Sequence, residues 1–330
     1  MKTVMVTGGA GYVGSILLRR LLERNYRVVC VDNLMFGGEA LLDIWEHPHF
    51  SLAKRDIRDR EAMQALFAQT QFHGVIHLAA IVGDPACARQ SELAQQTNWQ
   101  ASIDLLEASK QHGVERFIFA STCSNYGKMA DPGGFVTETS TLAPVSLYAE
   151  LKVKFEKTLL ESDPSPDFCP TALRFATVYG ISHRMRFDLT VNEFTKELAL
   201  DKELVVFGEQ FWRPYCHVAD FSRAMLAVLE APREKVAYDV FNVGDTAENY
   251  TKGMILNELL KVYPNARIKR IEKKEDPRDY RVNFSKIAQR LDFKISKTVP
   301  MGMQEIAEIL QLGVIPNPEE QKFYNIPHTP

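Results

Sequence analysis

Residues 7–14 read TGGAGYVG and stand between a short apolar run, TVMVTG (3–8), and a helical pattern, YVGSILLRRLLERN (12–25). Gly8, Gly11 and Gly14 in that place permit a tight turn and let backbone N–H groups and a helix N-terminus approach a pyrophosphate, with Tyr12 and Val13 on the same turn. A glycine pattern alone constrains little. This one follows a strand, opens a helix, and is followed 18 residues after Gly14 by Asp32, at the end of a second strand-like run, RVVCVDN (27–33). A carboxylate there accepts ribose hydroxyls and repels a 2′-phosphate, which favours NAD over NADP.

Further apolar runs without two-residue alternation follow at FSLAKRD, GVIHLAA, RFIFAST and PTALRFATVYG, with amphipathic helical patterns between most of them. Such runs suit strands buried on both faces. The pattern predicts an α/β fold: a doubly wound parallel sheet over residues 1–180, with a return segment near 215–245. A smaller C-terminal lobe is expected mainly from 181–330, with a helix at 188–199, short strands near VVFG and VFNVG, and the mixed-charge stretch IKRIEKKEDPRDYR. The tail from Val314 to Pro330, with four prolines and few apolar anchors, is expected to be a loosely docked extension. Asp56 and Ile57, after the third strand-like run, either flank an adenine or form an ordinary strand end.

With 45% hydrophobic residues in 330, the chain is well able to bury a core, and its net charge of −3 gives no general nucleic-acid footprint. The five cysteines are odd in number and scattered without a C-x-x-C pair, which argues against a zinc site and a disulfide framework and points to the cytosol. The N-terminus has no signal-peptide pattern, and no apolar stretch reaches the ~18 residues of a membrane span. Neither a metal, a nucleic acid nor a membrane is expected as a partner.

The segment YAELK places Tyr148 and Lys152 four apart, on one face of a helix. A phenol is a poor base at neutral pH, but a neighbouring ammonium and a positively charged nicotinamide both favour phenolate. Tyr148 is then able to take a hydroxyl proton as hydride leaves for NAD. Upstream, STCSNYG (121–127) presents hydroxyls and a thiol directly after the apolar run FIFA.

Taken together, TGGAGYVGS, VDN, HLAA (77–80), Asn98, STCSNYG, SLYAELK, LRFATVYG and WRPYCHVAD resemble the extended short-chain dehydrogenase/reductase family, specifically its NAD-dependent nucleotide-sugar epimerases and dehydratases. The resemblance implies a Rossmann NAD domain, a nucleotide-sugar lobe, Thr122 as hydroxyl partner, Tyr148 as catalytic acid/base and Lys152 bonded to the ribose. On the cofactor side it adds Asn33, Leu78, Ala79, Ala80, Asn98, Ser121 and Phe175 to the glycine turn, Asp32, Asp56 and Ile57. On the substrate side it implies Val82, Thr122, Cys123, Ser124, Thr177, Arg184, Arg186, Asn192, Arg213 and Arg278. A nucleotide-diphosphate sugar is the implied substrate, and a homodimer the implied assembly, formed through helices around 98–112 and 147–162.

The family's 4,6-dehydratases follow the Thr with Asp and Glu, because eliminating water needs an acid and a base. Cys123 and Ser124 stand there instead. Serine is no useful base without an activating partner and a thiol is a weak one, so dehydration is disfavoured. If the segment is extended, Cys123 points away from the face of Thr122 and becomes a packing residue. Oxidation at sugar C4 remains, leading to a 4-epimerase if hydride returns to the other face and to a 4-dehydrogenase if the keto sugar leaves. IVGDPACARQ, RFATVYGISHRMRFDLTVNEFT, QFWRPYCHVADF and EDPRDYRV resemble a subgroup that includes GDP-heptose C4-dehydrogenases. Arg184, Arg186 and Arg213 are the residues whose forks suit diphosphate oxygens. Thr177 and Asp276 replace, respectively, an Asn and an Arg of the better-known branches, which weakens any transfer of UDP-galactose specificity.

Overall fold

In the computed structural model, which describes residues 1–129, 131 and 133–326, Val4 and Val6 of the first strand point to one core layer and Met5 to the other. That alternation, with both faces apolar, is what a sheet covered by helices on both sides requires. The strands are β1 (Thr3–Thr7), β2 (Arg27–Asp32), β3 (Phe50–Lys54), β4 (Gly74–His77), β5 (Arg116–Thr122), β6 (Cys169–Phe175), β7 (Thr177–Tyr179), β8 (Leu204–Phe207), β9 (Trp212–His217), β10 (Asp239–Val243), β11 (Asn249–Thr251) and β12 (Ile268–Ile271). Seven form one sheet in the order β10-β6-β5-β4-β1-β2-β3, every pairing parallel. This is the expected Rossmann-type doubly wound sheet.

Helices Gly14–Glu23 and Val218–Glu230 cover one face through Leu17, Leu18, Leu21, Phe221 and Met225. Helices Arg60–Gln69, Ala101–Gln111 and Leu147–Leu160 cover the other through Phe67, Leu105, Leu106, Phe155 and Leu159. The run PTALRFATVYG does not continue as one strand. It breaks after Phe175, and β7 pairs with β9 in a separate three-stranded sheet, β11-β9-β7, while β10 returns to the central sheet beside β6. A smaller core of Tyr179, Phe194, Leu198, Tyr215, Leu256 and Met303 holds that sheet, the β12-β8 pair and helices Thr190–Ala199, Lys252–Val262 and Val299–Gln311 together. No helix among the described residues is long and apolar enough to cross a membrane.

The expectation of a loosely docked tail is not met over the described part, 314–326. Tyr324 is buried and its hydroxyl meets the Lys196 ammonium at 2.8 Å, Phe323 packs edge-on to Phe187, and the Asn325 N–H donates to Asp188 at 2.9 Å. Two aromatic anchors, Phe323 and Tyr324, outweigh the prolines. The final four residues of that expectation lie outside the described residues.

Glu305, on helix Val299–Gln311, ties this lobe to β9 and to the chain leaving β7. It accepts from the Ile181 N–H at 3.0 Å, meets His217 Nε2 at 2.5 Å and pairs with Lys297. Burial opposes its charge, but the hydrogen bond and charge of His217, then Lys297 and the Ile181 N–H, prevail and hold its carboxyl down at about 2, against an ordinary value of 4.5. A depressed carboxyl contributes stability fully present above the unfolded value and lost as pH falls through the folded one. Acid denaturation of the parent between pH 4.5 and 2 is therefore expected to be steeper than that of Glu305→Gln. Unfolding curves read by circular dichroism across that range check this, and identical pH slopes overturn it.

Candidate active site

β1 ends at Thr7 and the chain turns at Gly8, whose φ of +72° is open to glycine, and where an added Cβ would stand 2.8 Å from Ala79 N. Gly14 begins the first helix so close beneath that turn that a Cβ there would lie 2.3 Å from the Gly8 carbonyl. The first approach brings the β1 turn against the end of β4 and the second brings the helix start against that turn, beside a cleft beyond the carboxyl ends of β1, β2, β4, β5 and β6, where open α/β sheets bind ligands. Gly8, Gly11, Tyr12, Val13, Gly14, Asp32, Asn33, Asp56, Ile57, Leu78, Ala79, Ala80, Val82, Ser121, Thr122, Tyr148, Lys152, Phe175, Arg184 and Arg186 all line it.

At one end, Asp32 accepts from the Ala10 N–H at 3.0 Å and the Leu34 N–H at 2.8 Å. Its burial raises its pKa and those two donors oppose the rise. Asp56 pairs with Arg58 at 2.8 Å and accepts from Asn33 at 3.1 Å, and Arg58 first of all brings its carboxyl down to about 2. Asn33 and Asp56 are thus tied to each other at the cleft wall.

At the other end, Thr122 closes β5 and its Oγ1 accepts from the Ser124 N–H at 3.1 Å. Ser146 caps the helix Leu147–Leu160 by accepting from the Ala149 N–H, which fixes Tyr148 in its first turn. Lys152 follows one turn later, buried, donating to the Ala120 carbonyl at 2.7 Å, 4.6 Å over the Phe119 ring and 5.9 Å from the Tyr148 ring. Burial pulls its ammonium down to about 8, which leaves it charged at neutral pH. Burial, followed by Cys87 and Asp84, pushes the Tyr148 phenol well above its ordinary value, so in the protein alone it keeps its proton.

Several expected site residues lie outside the lining of this cleft. Cys123 does not reach the cleft: the chain leaves β5 in a tight turn, Cys123–Tyr126, and the thiol donates to the Arg174 carbonyl at 3.2 Å inside the core, where burial raises its pKa strongly. Ser124 lies outside the cleft lining and meets the Tyr280 hydroxyl at 3.5 Å. Asn98 sits in a single π turn, Gln96–Gln100, behind the cleft, where its amide holds both the N–H and the carbonyl of Ile81 at 2.8 and 2.9 Å. Asn192 is fully buried, accepting from Gly180 N–H and donating to Tyr12 Oη and the Arg186 carbonyl. Thr177 pairs with Tyr215 in the β7–β9 ladder and does not line the cleft. Arg213 and Arg278 lie away from the cleft lining: Asp276 pairs with Arg213 at 3.0 Å, and Arg278 pairs with Asp84 at 2.6 Å.

Phe36, Arg55, Arg58, Thr97 and Asn325 also line the cleft and were not foreseen. Phe36, Arg55 and Arg58 had a signal, since each lies within a few residues of Asp32 or Asp56. Asn325 had none, because only tertiary packing brings it into the cleft.

A dinucleotide fits this cleft: a glycine turn with a helix start, a carboxylate at the β2 end, and a buried guanidinium, Arg184, with two unpartnered nitrogens in its lining. The NAD dependent epimerase/dehydratase family model matches residues 4–244. A UDP-glucose 4-epimerase of Lacticaseibacillus casei is 28% identical over 280 residues, covering 79% of this chain and 81% of that protein. The UDP-glucose 4-epimerase of Thermotoga maritima, solved with UDP-glucose, superposes with a TM-score of 0.84 at 28% identity, over 94% of this chain and 99% of its own. The UDP-glucuronic acid 4-epimerase of Bacillus cereus, solved with UDP-glucuronic acid and NAD, gives 0.83 at 26% identity over 94% and 99%. The chain belongs to the NAD dependent epimerase/dehydratase family, as an NAD-using enzyme of the extended short-chain dehydrogenase/reductase type.

Proposed function

We propose that this protein is a nucleotide-sugar 4-epimerase acting through transient oxidation at sugar C4. The observation that carries the reading is the meeting of Thr122, Tyr148 and Lys152 at one end of the cleft, with cysteine and serine where a dehydratase places its acid and base. Bound NAD supplies the hydride acceptor and, afterwards, the hydride donor. Tyr148 takes the C4 hydroxyl proton and gives it back. Thr122 holds that hydroxyl, and its Oγ1, fixed by the Ser124 N–H, is already oriented. Because burial alone keeps Tyr148 protonated, the charge of Lys152 and of the nicotinamide ring must favour phenolate at the moment of transfer.

The substrate lobe weakens any transfer of UDP-galactose specificity to this chain. Asp276, where an arginine stands in the better-known branches, pairs with Arg213, so a diphosphate reaching that guanidinium must compete with a carboxylate. The expected dimer through the helices around 98–112 and 147–162 belongs to the same reading.

Incubation with UDP-, GDP-, dTDP- and CDP-sugars, with products separated by NMR, tests it. A C4 epimer formed without net NADH is the expected result. A 4-keto sugar accumulating with NADH held on the protein overturns it in favour of a C4-dehydrogenase.

A further inference from the structure

Among the described residues, Arg184 is a buried cation of the cleft that forms no ion pair and leaves two of its donor nitrogens unmet. It is 7% exposed; its Nη1 donates to Asn325 Oδ1 at 2.7 Å, while Nε and Nη2 have no partner. Three other cleft cations differ. Arg58 pairs with Asp56, Arg186 with both oxygens of Asp188, and Lys152 donates to the Ala120 carbonyl. Burial first, then the neighbouring charge of Arg186, pulls the Arg184 guanidinium down to about 10, so it is charged at neutral pH. A buried charge with unmet donors is costly unless an acceptor is provided. The Nε and Nη2 edge is the side-on face of the fork, the one that matches two oxygens of a phosphate.

Its neighbours locate the ligand. The Arg184 guanidinium lies 4.3 Å from the Phe36 ring, four residues past Asp32, and that of Arg186 lies 6.0 Å from the ring of Tyr12 in the glycine turn. Asn192 binds Tyr12 Oη and the Arg186 carbonyl together, which fastens the 184–188 segment to that turn. From the other side, Asn325 holds Arg184 with its side chain and Asp188 with its N–H. The arginines beside Tyr280 and Asp276 are a separate group outside this cleft lining.

We propose that Arg184 binds the pyrophosphate of NAD, opposite the glycine turn, and that Asn325 of the C-terminal segment is the positioning residue that presents its fork. The pair closes the cofactor's diphosphate between the β1 turn and the chain's end. This removes Arg184 from the substrate's diphosphate, where the sequence placed it.

The test is equilibrium titration of the full chain, stripped of nucleotide, with NAD, ADP-ribose, adenosine and UDP. For Arg184→Gln, affinity for NAD and ADP-ribose is expected to fall about 10- to 100-fold, as for loss of a charge-assisted hydrogen-bonding pair. Adenosine, which lacks the phosphates, and UDP are expected to bind as before. Asn325→Ala is expected to lose about 3- to 10-fold for NAD, the cost of one anchoring bond. Unchanged NAD affinity in Arg184→Gln, or a loss confined to UDP, overturns the assignment. Should that variant not fold, Arg184→Lys, which keeps the charge but not the fork, and Asn325→Ala are read in the same titrations; unchanged NAD affinity in both overturns it equally. These titrations involve no sugar chemistry, so a negative result leaves the epimerase reading standing.

Discussion

Tyr148→Phe is expected to reduce turnover about 1,000-fold while the protein still folds and still binds NAD. Positioned general acid–base catalysis contributes about 10²- to 10⁴-fold, and the substitution removes the only atom that exchanges the C4 proton in the proposed mechanism. The structural cost is small. The Tyr148 ring packs beside Ile81, Cys87 and Leu151, contacts that phenylalanine keeps. Measuring kcat on the sugar that the substrate panel selects, with bound NAD read by absorbance, separates lost chemistry from lost cofactor. A fully active Tyr148→Phe would sink Tyr148 as the acid/base, and an inactive variant devoid of NAD would mean that the hydroxyl serves the cofactor instead.

The largest stability effect is expected one layer behind, at Glu156. Its carboxylate meets Arg174 at 2.5 Å from Nη2, with Nε at 3.0 and 3.2 Å from the two oxygens, and both side chains are almost wholly buried. The same carboxylate accepts the Ser121 hydroxyl at 2.5 Å, while Arg174 also donates to Tyr126 Oη and the Glu138 carbonyl. Removing one partner leaves a buried, uncompensated charge, worth about 3–5 kcal/mol. Glu156→Ala is therefore expected to lower the melting temperature by about 10 °C in thermal unfolding. Turnover should fall as well, since Ser121 precedes Thr122 on β5. Replacing both partners by apolar residues, Glu156→Leu with Arg174→Met, is expected to recover much of the stability, because burying two charges is itself costly. A single Glu156→Ala within about 1 kcal/mol of the parent would show that the pair is not what holds β5, β6 and the Tyr148 helix together.

The parts of this site that were legible in the sequence are those in which function depends on local spacing. Gly8 to Gly14 and Asp32 fall at the ends of adjacent strands because a strand–turn–helix–strand unit leaves them nowhere else. Tyr148 and Lys152 share a helix face because they are four residues apart. The double-sided apolar runs required a covered parallel sheet. Local spacing misled where the chain changed direction. Cys123 is a packing residue, as alternation along an extended strand predicts, but it enters the core through the turn at 123–126 and not through strand alternation, against the substrate role that the resemblance implies. Asn98 and Asn192 carried the polarity of ligands, but each spends its amide on backbone groups that shape the cleft from behind.

By itself, then, the sequence determined the dinucleotide turn, the parallel sheet, the Tyr–Lys pair and the absence of a dehydratase's carboxylates, all of which follow from residue type and from spacing within one or two elements. Only the tertiary structure decided that β10 returns beside β6, that Asp276 pairs with Arg213, and that Asn325 reaches Arg184 in the cleft. These meetings join segments far apart in the chain. Periodicity says which face of an element is apolar; which faces meet is decided by packing, through the half-buried Phe323 on Phe187, the burial of Tyr324 and the ridges that dock one helix on another.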